Sequence, residues 1–208
     1  MRRFVFGLVL AAAATFAGWL ALTSFAPGSS VASWAPCPRN WGWGPAWRAR
    51  KSPLASVALE FDHRYHAKIC YGRPSLRGRT MIGGEAVPYG QLWRTGANEP
   101  TTLHLDTAAR FGDLSLSKGS YSIYTVPGPK FWEVVVNAST AQWGLESEYT
   151  EEVASREVGR VLAAVEPLES PVETFTIRAV GADALGYDLL FEWQTTRIRV
   201  PLTASLDD

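Results

Sequence analysis

Cysteine is scarce in this 208-residue chain: Cys37 and Cys70 are the only two, with no C-x-x-C spacing and no Cys/His cluster. That pattern excludes a zinc finger and a c-type haem attachment site. Histidine is almost as rare, with His63, His66 and His104. An H-x-x-H pair in a turn with no third ligand nearby is a weak metal signal, so exposed polar histidines are expected instead. The chain also lacks a G-x-S-x-G elbow, a Walker loop, H-E-x-x-H and G-x-G-x-x-G. Neither cysteine has a histidine partner suited to nucleophilic chemistry. No catalytic residue, metal or cofactor is therefore expected. Acidic residues are missing from the start of the chain. Glu60 is the first, after Arg2, Arg3, Arg39, Arg48, Arg50 and Lys51, which leaves 14 basic against 20 acidic side chains for the rest. A mildly acidic body behind a basic leader excludes nucleic acid as the main partner, because phosphate binding needs a basic face. The leading charges suit lipid head groups or an acidic protein surface.

What is present begins with an apolar run. Phe4 to Phe25 carries no charge over 22 residues, about 33 Å as a helix and enough to cross a bilayer core. Arg2 and Arg3 precede it, which places the N-terminus in the cytoplasm. Pro27 and Gly28 stop the helix. Residues 1–27 are expected to be an uncleaved inner-membrane anchor, with the remainder in the periplasm. The alternative is a signal peptide cut near Ser30-Val31-Ala32.

Residues 28–52 read as a stalk. Trp34, Trp41, Trp43 and Trp47 sit among proline and glycine, beside Arg48 and Arg50. Neither helical nor strand periodicity fits. Linkers are poor in large aromatics, whereas Trp with Arg is typical of membrane interfaces and binding hot spots. These six residues are the expected partner contacts. Cys37 lies in the stalk, and Cys70 lies in Ala67-Lys68-Ile69-Cys70-Tyr71. Alternation buries Ala67, Ile69 and Tyr71 and turns Lys68 and Cys70 outward. A Cys37–Cys70 disulfide fixing stalk to domain is expected, with two independent thiols as the alternative.

Residues 53–203 read as short strands between turn signals, followed by a tail at 204–208. Val57–Phe61 and Ala67–Tyr71 form a hairpin around Asp62-His63. Further strands follow at Thr101–Asp106, Leu114–Leu116, Tyr121–Val126, Phe131–Val136, Thr174–Val180, Gly186–Trp193 and Arg197–Val200. Glu148–Arg156 is the one helix candidate. About nine short strands at this spacing predict an all-β antiparallel sandwich.

Several motifs occur in order along this region: Tyr71-Gly-Arg73-Pro74-Ser75, Arg77-Gly78-Arg79, Val87-Pro88-Tyr89-Gly90, Leu92-Trp93-Arg94-Thr95-Gly96-Ala97-Asn98-Glu99, Lys118-Gly119, Gln142-Trp143-Gly144, Pro171-Val172-Glu173-Thr174 and Glu192-Trp193. Together, over about Ser52 to Leu202, they resemble the bacterial family catalogued as domain of unknown function 2911. The resemblance implies an exported β-sandwich without an agreed activity. This chain departs from the family in its long anchor, its Trp-rich stalk and Pro100 after the Asn-Glu pair.

One polar cluster remains. Arg73, Arg77, Trp93, Arg94, Asn98 and Glu99 fall in a Gly/Pro-rich stretch. They offer a pocket that grips a small anionic or sugar ligand. The structural alternative is ion pairing of Arg94 with Glu99. Three functions are carried forward. The first is a membrane-anchored structural subunit docked on an integral membrane complex, with a photosynthetic reaction centre and its antenna as the specific candidate. The second is a periplasmic ligand-binding module at the Arg/Trp cluster. The third is a hydrolase acting there.

Overall fold

The computed structural model describes Cys37 and residues 51–205. The anchor and the stalk residues Trp34, Trp41, Trp43, Trp47, Arg48 and Arg50 lie outside the described residues. Among the described residues no helix is long and apolar enough to cross a membrane.

The described residues form nine antiparallel strands: β1 Leu54–Phe61, β2 Tyr65–Gly72, β3 Thr101–Leu105, β4 Ala109–Phe111, β5 Leu114–Leu116, β6 Gly119–Val126, β7 Phe131–Asn137, β8 Glu157–Gly181 and β9 Gly186–Ala204. They form one sheet in the order β1-β2-β3-β6-β7-β8-β9-β4-β5. β8 joins its two halves. Residues up to Ala164 pair with β7, and those from Val165 onward pair with β9. Register shifts at Pro167/Val172 and Val172/Thr176 then interrupt the β8–β9 pairing.

The halves fold over each other in a sandwich-like arrangement. Phe61 of β1 meets Tyr187 of β9 edge to face, and Tyr71 of β2 meets Phe175 of β8. The core between them is built by alternation. Ile69, Leu103, Ile123, Val134 and Val136 from one half face Phe175, Ile177, Leu189, Phe191 and Trp193 from the other, all buried. The β1–β2 hairpin turns at Asp62 and His63, whose φ angles of 48° and 53° give the left-handed pair that tight hairpins need.

Nine strands were expected and nine are found, but they are not the same nine. β4 is short and carries little pattern. The first half of β8 escapes notice because Leu162 and Val158 face outward, so apolar residues occupy both faces and the period of two is blurred. Gly186–Trp193 and Arg197–Val200 are one strand. Gln194 sits between them at a φ of 53°, a bulge that reads as a break in sequence. The expected helix shrinks to a 3-10 turn at Glu146–Glu148 and one α turn, α1, at Glu151–Ala154. Thr150 caps α1 by accepting a hydrogen bond from the Val153 amide.

Candidate functional site

The outer face of the β1–β2–β3–β6–β7 half carries the site. Cross-strand register places Cys70, Thr102, Ser122 and Asn137 in one row. Directly paired residues share a face, so Cys70 is outward, as alternation requires. The structure bonds Cys37 to Cys70, with Cα atoms 5.6 Å apart. Cys37 is therefore fixed to this face on β2, beside the edge strand β1.

The outward face is buried as well as polar, which alternation alone does not reveal. Lys68, Cys70, His104, Ser120, Ser122 and Asn137 are all buried. His104, expected to be exposed, is 2% exposed. Its Nδ1 lies 2.9 Å from the Ser120 hydroxyl and its Nε2 3.2 Å from the Thr102 hydroxyl. Burial, aided by the Lys68 ammonium, pushes His104 down to about 4, so the ring is neutral at pH 7. Burial likewise lowers Lys68. Of the other histidines, His63 is exposed at the hairpin turn beside Glu60, and His66 pairs with Asp106 at 3.2 Å.

Part of the cover is the segment after β7. Asn137 donates to the Val153 carbonyl at 2.7 Å, and Ser122 donates to the Ser139 carbonyl at 2.7 Å. Gln142 donates to the Tyr124 and Ser122 hydroxyls. Tyr149 lies edge-on over Tyr124, with ring centroids 4.7 Å apart. Burial pushes the Tyr124 hydroxyl up to about 12, so it stays protonated. Gln142 of the Gln-Trp-Gly motif is thus the hub of a latch. Sequence reading gave Ser122, Asn137 and Tyr149 no role in a site. The usable signal was small uncharged polar residues at the outward positions of β6, where a solvated strand would carry charge.

The expected Arg/Trp pocket is dispersed. Trp93 is in the core, stacked on Trp193 and edge-on to Trp132 and Phe175. Arg73 donates to the Phe175 carbonyl and the Thr176 hydroxyl on β8. Arg77 is exposed, with its guanidinium on the Lys51 carbonyl. Arg94 does not pair with Glu99. It forks onto Glu146, with Nε and Nη2 at 3.1 and 2.9 Å from the two carboxylate oxygens. Asn98 turns the chain at a φ of 68°, and Glu99 is buried. A Cβ at Gly72 would strike the Ala97 carbonyl, and one at Gly144 the Asn98 carbonyl. Three of the sequence motifs therefore meet through glycine backbones. The Trp-Arg-Thr-Gly-Ala-Asn-Glu stretch is a packed corner. A shallow pocket beside the disulfide is lined by Cys70, Tyr71, Gly72, Glu99, Pro100 and Thr102.

The second half of the sheet carries an ion network. Glu192 accepts from Arg178 at 2.8 Å and from Arg197 at 2.7 Å. Arg197 also reaches Glu166, which pairs with Arg199, and Arg199 pairs with Asp188. Hydrogen bonding from Arg178 holds the Glu192 carboxyl below its usual range.

These packed motifs are those of a known family. The family described as "Protein of unknown function (DUF2911)" matches residues 52–202. This chain belongs to that family. The match covers the described sheet from the start of β1 almost to the end of β9, and its description assigns neither an activity nor a photosynthetic partner. No curated protein and no solved structure matches the chain.

Proposed function

We propose that this chain is a membrane-anchored interaction subunit. Its apolar N-terminal run crosses the inner membrane, and its DUF2911 domain stands in the periplasm. Its Trp/Arg stalk docks on an integral membrane protein complex and on the surrounding lipid. One observation carries this reading above all: the Cys37–Cys70 disulfide ties the stalk to a sheet face of the domain. Beyond the stability it adds to the domain, pinning preorganises a docking segment, which then loses less entropy on binding. A disulfide also fits an exported compartment.

The arginines support the same reading. Arg73, Arg94, Arg178 and Arg197 are engaged with backbone carbonyls or carboxylates of this domain. They hold the fold together and, among the described residues, are spent on contacts within this domain rather than gathered around a ligand-binding site. The test is a Trp41→Ala/Trp43→Ala double variant expressed in the native membrane. Association with the complex is expected to weaken while the near-UV circular dichroism of the domain is unchanged. Unaltered association would remove the stalk contact.

A further inference from the structure

We infer that the uncovered β7–β8 corner of the outer face lies against the bilayer, with Phe131 and Leu162 seated in the lipid interface. The inference rests on the anchor reading proposed above. Cys37 follows Phe25 by twelve residues, so the fixed point on this face lies at most about 40 Å of extended chain from the end of the apolar run. Without the disulfide the chain would run free to Lys51, and the limit would be about 90 Å. For a domain of this length the radius of gyration is about 15 Å. A path around such a body to present its opposite face takes roughly 60 Å, more than the pinned chain supplies. The short tether therefore rules out the opposite face and favours the disulfide-bearing side.

That side bears exposed apolar groups. Cross-strand register puts Phe131, Glu133, Val135 and Asn137 on the Cys70 face of β7, and pairs them with Ala164, Leu162 and Arg160 of β8. Phe131 is 52% exposed and Leu162 67% exposed, the largest values among the large hydrophobic residues described. They are diagonal neighbours, with Ala164 exposed between them. Phe131 lies six residues along β7 from the Cys70 row, three strands over, or roughly 25 Å away. The distance is within the reach of the tether. Lys130 precedes Phe131 and is exposed. Beyond Leu162, Arg160 pairs with both Glu133 and Glu157 and offsets one of their two negative charges. An aromatic and an aliphatic side chain beside a lysine suit a lipid interface.

The test uses the full chain reconstituted in phosphatidylcholine–phosphatidylglycerol vesicles. Single added cysteines (Phe131→Cys, Leu162→Cys and Val180→Cys) are nitroxide-labelled with the native disulfide intact. Val180 is exposed on the far half of the sheet. Collision rates with oxygen and with a water-soluble nickel complex then report depth. Oxygen should dominate at positions 131 and 162 and the nickel complex at 180. Nickel dominance at all three in a chain that floats with the vesicles would overturn the membrane face and leave the anchor standing. A chain that does not float would overturn the anchor reading and the face with it. Spin–spin broadening at 162 would seat a second copy there instead, which also overturns the lipid contact.

Discussion

The indole of Trp93 lies stacked on that of Trp193, with ring centroids 5.6 Å apart and planes 16° from parallel. Both are buried, and both also touch Phe175. This pair joins the loop after β2 to β9 across the core. Trp93→Ala is expected to cost about 3–5 kcal/mol, the range for a large aromatic cut from a packed core. Urea unfolding followed by circular dichroism checks it through the midpoint. A near-neutral result would mean that Trp93 does not pack as described.

Glu192 answers to two arginines, so Glu192→Gln is expected to lose about 1–3 kcal/mol. The sign with pH follows from the lowered carboxyl. Its contribution is present above the unfolded-chain value near 4.5 and is lost as pH falls through the lower folded value. Unfolding free energy measured from pH 6 down to pH 3 should fall more steeply in the parent chain than in the variant.

His104 acts in a different window. The folded chain holds it neutral down to about 4, whereas an unfolded histidine takes up a proton near 6.5. Below that point the unfolded state binds more protons. Stability should therefore fall as pH drops from about 6.5 toward 4, by about 3 kcal/mol from this group. NMR titration of the His104 ring should show no shift change above pH 5. A midpoint near 6.5 would contradict its burial.

Much of the fold was legible in the sequence because inward positions such as Leu103, Leu105, Ile123 and Val134 repeat with period two. The hairpin at Asp62-His63 was legible for the same reason. The disulfide followed from the outward position of Cys70. The burial of the outward face was not legible, since alternation says which way a side chain points and not what covers it. Arg94 was read beside its sequence neighbour Glu99, yet its partner is Glu146, more than fifty residues away. Ion-pair partners chosen by sequence distance fail where a loop folds back, as residues 138–149 do here. Trp93 looked like a ligand platform because its loop has no periodicity, and only its three ring contacts reveal it as core.

The disulfide closes a separation of 33 residues, and losing it is expected to cost about 3–4 kcal/mol through the freed unfolded chain. Comparing the denaturant midpoint of the oxidised protein with that of Cys37→Ser/Cys70→Ser checks this. The lone Cys70→Ser variant should lose a similar amount.

Co-migration in the native membrane tests the interaction-subunit reading most directly. Membranes extracted in mild detergent and resolved by blue-native electrophoresis should show this chain within a large complex, and less of it there in the Cys37→Ser/Cys70→Ser variant. Migration of the parent chain solely as a free monomer would contradict the account.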